Sequence, residues 1–225
     1  MSITHISPSA YVFLKSLKKN NNRDWFADHK KEFKKEEKEV KLFYNELLSA
    51  LRTHDEIESV KMFRIYRDVR FSANKQPYKE HFSGAFTRLK PRLRGGYYLH
   101  IEPGNTFLAC GFWAPEKEDL KRIRQEFEID ASEVREILNE KNFKAAFGDL
   151  EGEEVKTAPR GFDKEHPAID LIRKKQFIVT KKFSDKEATS PGFLEKVNDS
   201  FKTVRPFFDY MSEVLTTDLN GVPLV

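Results

Sequence analysis

At 225 residues the chain can bury most of its apolar surface on folding, and its 20 Phe predict a core built on rings, which excludes general disorder. A formal charge of +4, from 40 cations and 36 anions, permits an anionic partner without demanding one. The single cysteine, Cys110, excludes an internal disulfide, no Cys/His cluster has zinc spacing, and no run approaches the ~18 apolar residues of a membrane span.

Taken in chain order, Ser7 before Pro8 predicts a helix start running to about residue 19, with Ser as cap and Pro at the first helical position. The opening stretch has no continuous apolar segment of the kind a secretory signal needs, so the cytosol is the expected compartment and no membrane partner is expected. Asn20, Asn21 and Asn22 predict a turn. Beyond it Phe26, Phe33, Val40 and Leu47 recur every seven residues, with Phe43, Leu48 and Leu51 widening the stripe of a long amphipathic helix. Its KKEFKKEEKEVK segment interleaves Lys and Glu, and reads as a solvated face laced by i,i+4 pairs before it reads as a nucleic-acid patch.

Strand-like segments follow at about 60–71, 83–89, 97–102 and 106–113, with Gly95-Gly96 and Pro103-Gly104-Asn105 as turns, which predicts an antiparallel meander. In the third, Tyr97, Leu99 and Ile101 share one face and Tyr98, His100 and Glu102 the other. The fourth, FLACGFWA, is apolar on both faces and is expected to be central and covered on both sides. Pro115 opens a helix to about residue 127, short helices follow at 129–138 and 142–147, and His166 before Pro167 starts another to about 175. A strand at 177–183 precedes a helical C-terminal part, 191–218, that Pro206 should break near Arg205. Without repeats or linkers, residues 1–225 are expected to form a single α+β domain, a mainly antiparallel sheet flanked by helices from the N- and C-terminal parts.

Two polar clusters stand out. RDVRFSANKQPYKEHF offers Arg67, Asp68, Arg70, Lys75, Tyr78, Lys79 and His81. KTAPRGFDKEHP offers Arg160, Asp163, Lys164 and His166 at a predicted helix start, where free backbone N–H groups favour an anion. Arginine forks grip carboxylate or phosphate, lysine adds a point charge and tyrosine a single hydrogen bond, a mixture suited to an anionic ligand. Arg67 falls with Phe63, Ile65, Val69 and Phe71 on the apolar face of the predicted strand. A buried arginine has to be paired, so Arg67 is expected to be a structural tie to Asp163 or Asp170, while Arg70, Lys75, Tyr78 and Lys79 are placed where a ligand can reach. Tyr98, His100 and Glu102 would line one sheet face, where a His beside a Glu can act as an acid–base pair; a satisfied polar-face histidine is the plainer reading. Cys110 reads as an inert core thiol, and Trp25 and Trp113 as core or pocket walls.

The runs YRDVRFSANKQPYKEHF, GGYYLHIEPGNTFLACGFWAP and VKTAPRGFDKEHPAIDLI, in that order, resemble the bacterial family catalogued as domain of unknown function 2461, over nearly the whole chain. The resemblance implies a single α+β domain and carries no established activity. By position it singles out Arg67, Asp68, Arg70 and Phe71 with Lys75, Pro77, Tyr78 and Lys79; then Gly96, Tyr97, Tyr98 and Gly111; then Pro159, Arg160, Gly161, His166 and Pro167. The chain departs from the pattern at Ala73 and Asn74, in place of Lys and Asp, and at Cys110, in place of a glycine; the latter implies more side-chain bulk beside the site.

The leading functional expectation is a cytosolic domain that binds a small anionic ligand, phosphate- or carboxylate-bearing, in a cleft between residues 67–81 and the 160–166 loop. An enzyme built on it would use metal-independent acid–base or hydrolytic chemistry with His166 or His100 and Asp68. No GxxxxGK[ST], GxGxxG, GxSxG or HExxH motif is present, so no cofactor and no metal are expected. A nucleic-acid-binding module is the second reading, from a pI near 8.9 and the interleaved cations and rings of RDVRF and PYKEHF. A non-catalytic interaction domain, its charged motifs tying sheet to loops, is the third.

Overall fold

Local capping sets the first elements. In the computed structural model, which describes residues 3–224, Ser7 accepts from Ser9 N–H to open α1 (Pro8–Lys19), and Asn22 accepts from Trp25 N–H to open α2 (Arg23–Asp28). The amphipathic stripe is carried by two helices, because the chain bends at His29 before α3 (Lys30–Leu51). Phe26, Phe33, Val40, Phe43, Leu47 and Leu51 are buried as the period predicts, joined by Tyr44 and Glu36. On the outer side Glu37 receives Lys34 at 2.6 Å and Lys41 at 3.8 Å, the solvated lacing that the Lys/Glu alternation implies.

Strands β1 (Ile57–Met62), β2 (Phe82–Arg88), β3 (Gly96–Ile101), β4 (Thr106–Phe112) and β5 (Phe177–Phe183) form one antiparallel sheet in the order β1-β2-β3-β4-β5. The remaining helices are α4 (Lys117–Ile129), α5 (Ser132–Asn139), α6 (Lys141–Phe147), α7 (Ile169–Ile172), α8 (Asp185–Ala188), α9 (Phe193–Thr203) and α10 (Arg205–Thr216). The architecture is α+β, and α9 gives way to α10 beside Pro206 as expected. β4 is an inner strand, but β3 holds the centre; in β4 Thr106, Leu108, Cys110 and Phe112 are buried while Phe107, Ala109 and Gly111 are only partly covered. Among the described residues no helix is long and apolar enough to cross a membrane.

Two segments depart further from the sequence expectation. The first strand ends at Met62, and residues 63–81 leave the sheet as a loop closed by a bridge between Tyr66 and Tyr78, with Arg67 N–H donating to Pro77 O at 2.9 Å and Lys79 N–H to Ile65 O at 2.7 Å. Ile65 is buried, but Phe71 is 98 % exposed and Phe63 37 %. The period-two pattern loses there to side chains that bond nearby backbone: Asp68 accepts from Arg70 N–H at 3.3 Å and Asn74 from Gln76 N–H at 2.9 Å, which competes with a strand ladder. Likewise the helix expected from His166 to about 175 shrinks to the single turn α7, because Asp163 and His166 spend their acceptors on Glu165 N–H and Ala168 N–H.

The chain folds as two compact units, residues 3–86, 98–108 and 182–199 forming one and 87–97, 109–181 and 200–224 the other. In the first, Tyr44 of α3 stacks on Phe86 at 5.7 Å and donates to Leu99 O at 2.8 Å, and Phe33 stacks over Phe82 at 6.2 Å. In the second, Tyr97 meets Phe201 and Phe208 at 4.7 and 5.0 Å, and Phe127 meets Phe177 edge-on. Cys110 lies in that core with its thiol pushed up by burial, as expected, whereas Trp113 is 71 % exposed and is no part of the core.

Candidate functional site

The alternation of β3 puts three functional groups in line. Tyr98 Oη stands 2.9 Å from His100 Nδ1, and His100 Nε2 stands 3.0 Å from Glu102 Oε2, which also accepts from Asn105 Nδ2 at 3.0 Å. A second line of bonds holds Glu102 from behind: Thr106 Oγ1 donates to Glu102 O at 3.0 Å and accepts from its N–H at 3.2 Å, and Tyr11 Oη bonds Thr106 Oγ1 at 2.5 Å. The hairpin turn at 103–105 is therefore tied to α1, and the carboxylate with it.

His81 completes the group from the residue before β2. Its ring lies 4.1 Å from that of His100, and Phe107 of β4 stacks on His100 at 4.7 Å and 19°. Burial, and then repulsion from His100, hold His81 at about 4, against the pull of Glu102; Lys79 and Arg67 add to the lowering. Burial also lowers His100, although the hydrogen bond to Glu102 opposes it. For Glu102 burial acts upward but is outweighed by the hydrogen bonds of Asn105 and His100, leaving the carboxyl below its usual range. At neutral pH the group is thus two neutral imidazoles and one carboxylate.

Beside it lies a cleft of about 470 Å³ whose walls include Arg67, Asp68, Tyr78, Lys79, His81 and Glu102. Tyr78 is fixed by stacking on Phe26 at 3.9 Å and by donating its backbone N–H to Asn21 Oδ1 at 3.2 Å. Lys79 Nζ sits 5.5 Å from the centre of the Phe63 ring, its ammonium disfavoured first by burial and then by Arg64. The carboxylates of this wall are already engaged. Asp68 holds Arg70 through two bonds of 3.0 and 2.7 Å, Glu80 accepts from Asn21 at 3.2 Å and meets Lys18 at 3.8 Å, and Glu102 serves His100 and Asn105. Arg67, by contrast, donates to the neutral Ser72 Oγ at 3.5 Å, and among the described residues neither Arg67 nor Lys79 has a carboxylate partner.

Of the residues expected at the site, Arg67, Asp68, Tyr78 and Lys79 line this cleft and Tyr98 and His100 lie in the hydrogen-bonded row beside it. Arg70 is an exposed partner of Asp68, and Lys75 Nζ donates to Val69 O at 3.0 Å within the loop. Arg160 is exposed and His166 half-buried, both in the second unit, and α7 is one turn and no anion-binding helix terminus. The expected tie of Arg67 to Asp163 or Asp170 is replaced by the Ser72 bond: Asp170 is gripped by the Arg135 fork at 2.6 and 3.2 Å, and Asp163 caps its own turn. The side chain of Cys110 belongs to the buried face of β4 and adds no bulk beside Phe107. His81 belongs to the first polar cluster of the sequence, but its place beside His100 could not be read there, since it is set by the pairing of β2 with β3.

The Tyr11 support is testable by pH. Burial, partly offset by the Thr106 bond, raises its phenol to about 12 from an ordinary 10. A raised folded-state value means that this part of the stability is complete below pH ~10 and is lost as pH climbs towards ~12, because the unfolded chain releases the proton first. At pH 7 a Tyr11→Phe variant is expected to be less stable by ~1 kcal/mol for the lost hydrogen bond. Between pH 10 and 12 wild type should lose roughly 2–3 kcal/mol relative to the variant, reversing their order. Urea midpoints of the two proteins that stay parallel across that range would contradict the assignment.

Fold and site together define an α+β protein with a histidine–carboxylate group on one face of an antiparallel sheet and a cation-walled cleft beside it. The family described as conserved hypothetical protein (DUF2461) matches residues 9–210, and the chain belongs to that family. No curated protein and no solved structure matched in the comparisons.

Proposed function

We propose that the protein binds a small anionic ligand, bearing phosphate or carboxylate, in the cleft walled by Arg67 and Lys79, with His100 and Glu102 as an acid–base pair at its edge. The observation that carries this reading is the imbalance of the wall: its carboxylates are committed to other partners, while two partly buried cations, Arg67 and Lys79, have no carboxylate partner among the described residues. A cation drawn partly out of water without a partner is unfavourable, and an incoming anion removes that penalty. Arg67 can offer a fork to two oxygens and Lys79 a point charge; Tyr78 can add a hydroxyl donor.

A panel of small phosphates and carboxylates scored by thermal shift tests this. A ligand at 100 times its dissociation constant stabilises by ~2.7 kcal/mol, which for a chain of this size is a rise of roughly 5–10 °C. An Arg67→Ala, Lys79→Ala double variant should lose most of that rise, whereas Arg70→Ala should keep it. No shift by any anion, or equal shifts in wild type and double variant, would end the proposal.

A nucleic-acid reading keeps one observation in its favour, the exposed rings of Phe63, Tyr66 and Phe71 next to Arg64, Arg67 and Lys75. It requires oligonucleotide affinity that falls steeply with salt.

A further inference from the structure

We propose that His81, His100 and Glu102 form a binding site for a divalent first-row transition ion. The inference rests on the cleft described above for the ion's access and deepens the anion-binding reading, since the ion would be the part of the site that an anion meets first; with the ion bound, His100 and Glu102 serve as its ligands in place of an acid–base pair.

The donor set suits such an ion: two imidazole nitrogens and one carboxylate oxygen, with positions left open for other ligands. The three donor atoms lie within 4.8 Å of one another. Two ligands each about 2.1 Å from one ion are at most ~4 Å apart, so a movement of about 1 Å closes the set. His100 Nε2 and Glu102 Oε2 already stand at 3.0 Å. All three come from firm ground: His81 directly precedes β2, His100 lies in β3, and Glu102 directly follows it. Cysteine and histidine spacing could not show this, because the first ligand lies on a different strand connection from the other two.

The surroundings are those that a ligating histidine needs. An ion at Nε2 requires the ring proton at Nδ1, and Nδ1 faces Tyr98 Oη at 2.9 Å. On binding, the proton that Nε2 presents to Glu102 moves to Nδ1, and the Tyr98 hydroxyl changes from donor to acceptor, so the ring remains neutral and no proton is lost from it. Tyr98 is also bonded with Ser83, which gives its hydroxyl a second partner. Asn105 orients the carboxylate, and Phe107 covers one face of the His100 ring. The cleft is bordered by His81 and Glu102 as well as by Arg67 and Lys79, so an ion there adds positive charge where an anion would lie.

The test uses the full chain without an affinity tag, stripped with EDTA and dialysed, then titrated with Zn²⁺ in a calorimeter and with Co²⁺ in a visible spectrophotometer. One equivalent is expected to bind, with Co²⁺ bands that mark a protein site. His81→Gln and Glu102→Gln should each weaken binding by about 100-fold or more, Tyr98→Phe by about 10-fold, and His5→Gln not at all. His81 is only half-buried, so its variant should fold even where a His100 variant does not. No saturable binding, or binding unchanged in His81→Gln and Glu102→Gln, overturns the proposal. The anion panel run with EDTA and with Zn²⁺ separates the two readings. Anion stabilisation without metal binding sinks the metal site and leaves the cleft; metal binding with no anion effect under either condition does the reverse.

Discussion

Replacing Arg88 with alanine is expected to destabilise the protein by ~3–5 kcal/mol, lowering its melting temperature by roughly 10 °C. Arg88 is the buried arginine among the described residues, with 0 % of its surface exposed. It lies on β2, and its Nη1 donates to Arg94 O at 2.9 Å, Phe208 O at 3.3 Å and Ser212 Oγ at 3.1 Å, while Nη2 meets Asp209 Oδ1 at 2.7 Å. The guanidinium also sits 5.1 Å from the centre of the Phe208 ring. Within the second unit one side chain thus joins the end of β2, the loop before β3 and helix α10. Alanine leaves a cavity the size of the side chain and strips two backbone carbonyls of a donor. Methionine fills much of that volume without a charge and should recover ~1–2 kcal/mol of the loss. Urea denaturation measures both. Unfolding free energies for the two variants within ~0.5 kcal/mol of wild type would mean that the network contributes little.

Gly111→Ala is expected to cost ~3 kcal/mol or more, for a different reason. Gly111 in β4 has φ +139°, and a Cβ there would lie 2.0 Å from Phe177 O and 2.9 Å from Ile178 Cα. Those are backbone atoms of β5, so nothing flexible can yield; the two strands have to part. Gly104 supplies the control. Its φ is +77°, but nothing lies within 4 Å of a Cβ built on it, so Gly104→Ala should cost only the ~1 kcal/mol of a left-handed backbone. Equal losses at the two positions would show that the close approach of β4 and β5 is not what demands glycine. Hydrogen exchange gives a second reading, since amides between these strands should lose protection first in Gly111→Ala.

A cation on a core-facing strand position has to be tied, and the residue that meets this rule is Arg88, which nothing in the sequence singled out. Applied to Arg67 the rule misleads, because the period-two pattern around Phe63 and Phe71 looks like a strand while Asp68 and Asn74 turn it into a loop. Once the segment is a loop, Arg67 faces a cleft instead of a core, and among the described residues its side chain meets Ser72 and no carboxylate. The row Tyr98, His100 and Glu102 was legible for the opposite reason. The strand through it is regular, so alternation alone puts the three on one face.

By itself the sequence determined what depends on local periodicity and on single-residue backbone preference: the Phe26 to Leu51 stripe, the strands at β2 to β5, the break at Pro206, the α+β class and the burial of Cys110. Those signals are short-range, and each is written within one element. Tertiary structure decided everything that needs two elements to meet. The pairing of β2 with β3 brings His81 to His100, Thr106 and Tyr11 brace the turn that carries Glu102, and a loop closed by Tyr66 and Tyr78 sets Arg67 and Lys79 in one cleft. Such pairings are chosen by the packing of whole faces and by the register of neighbouring strands, which no spacing within a single segment encodes.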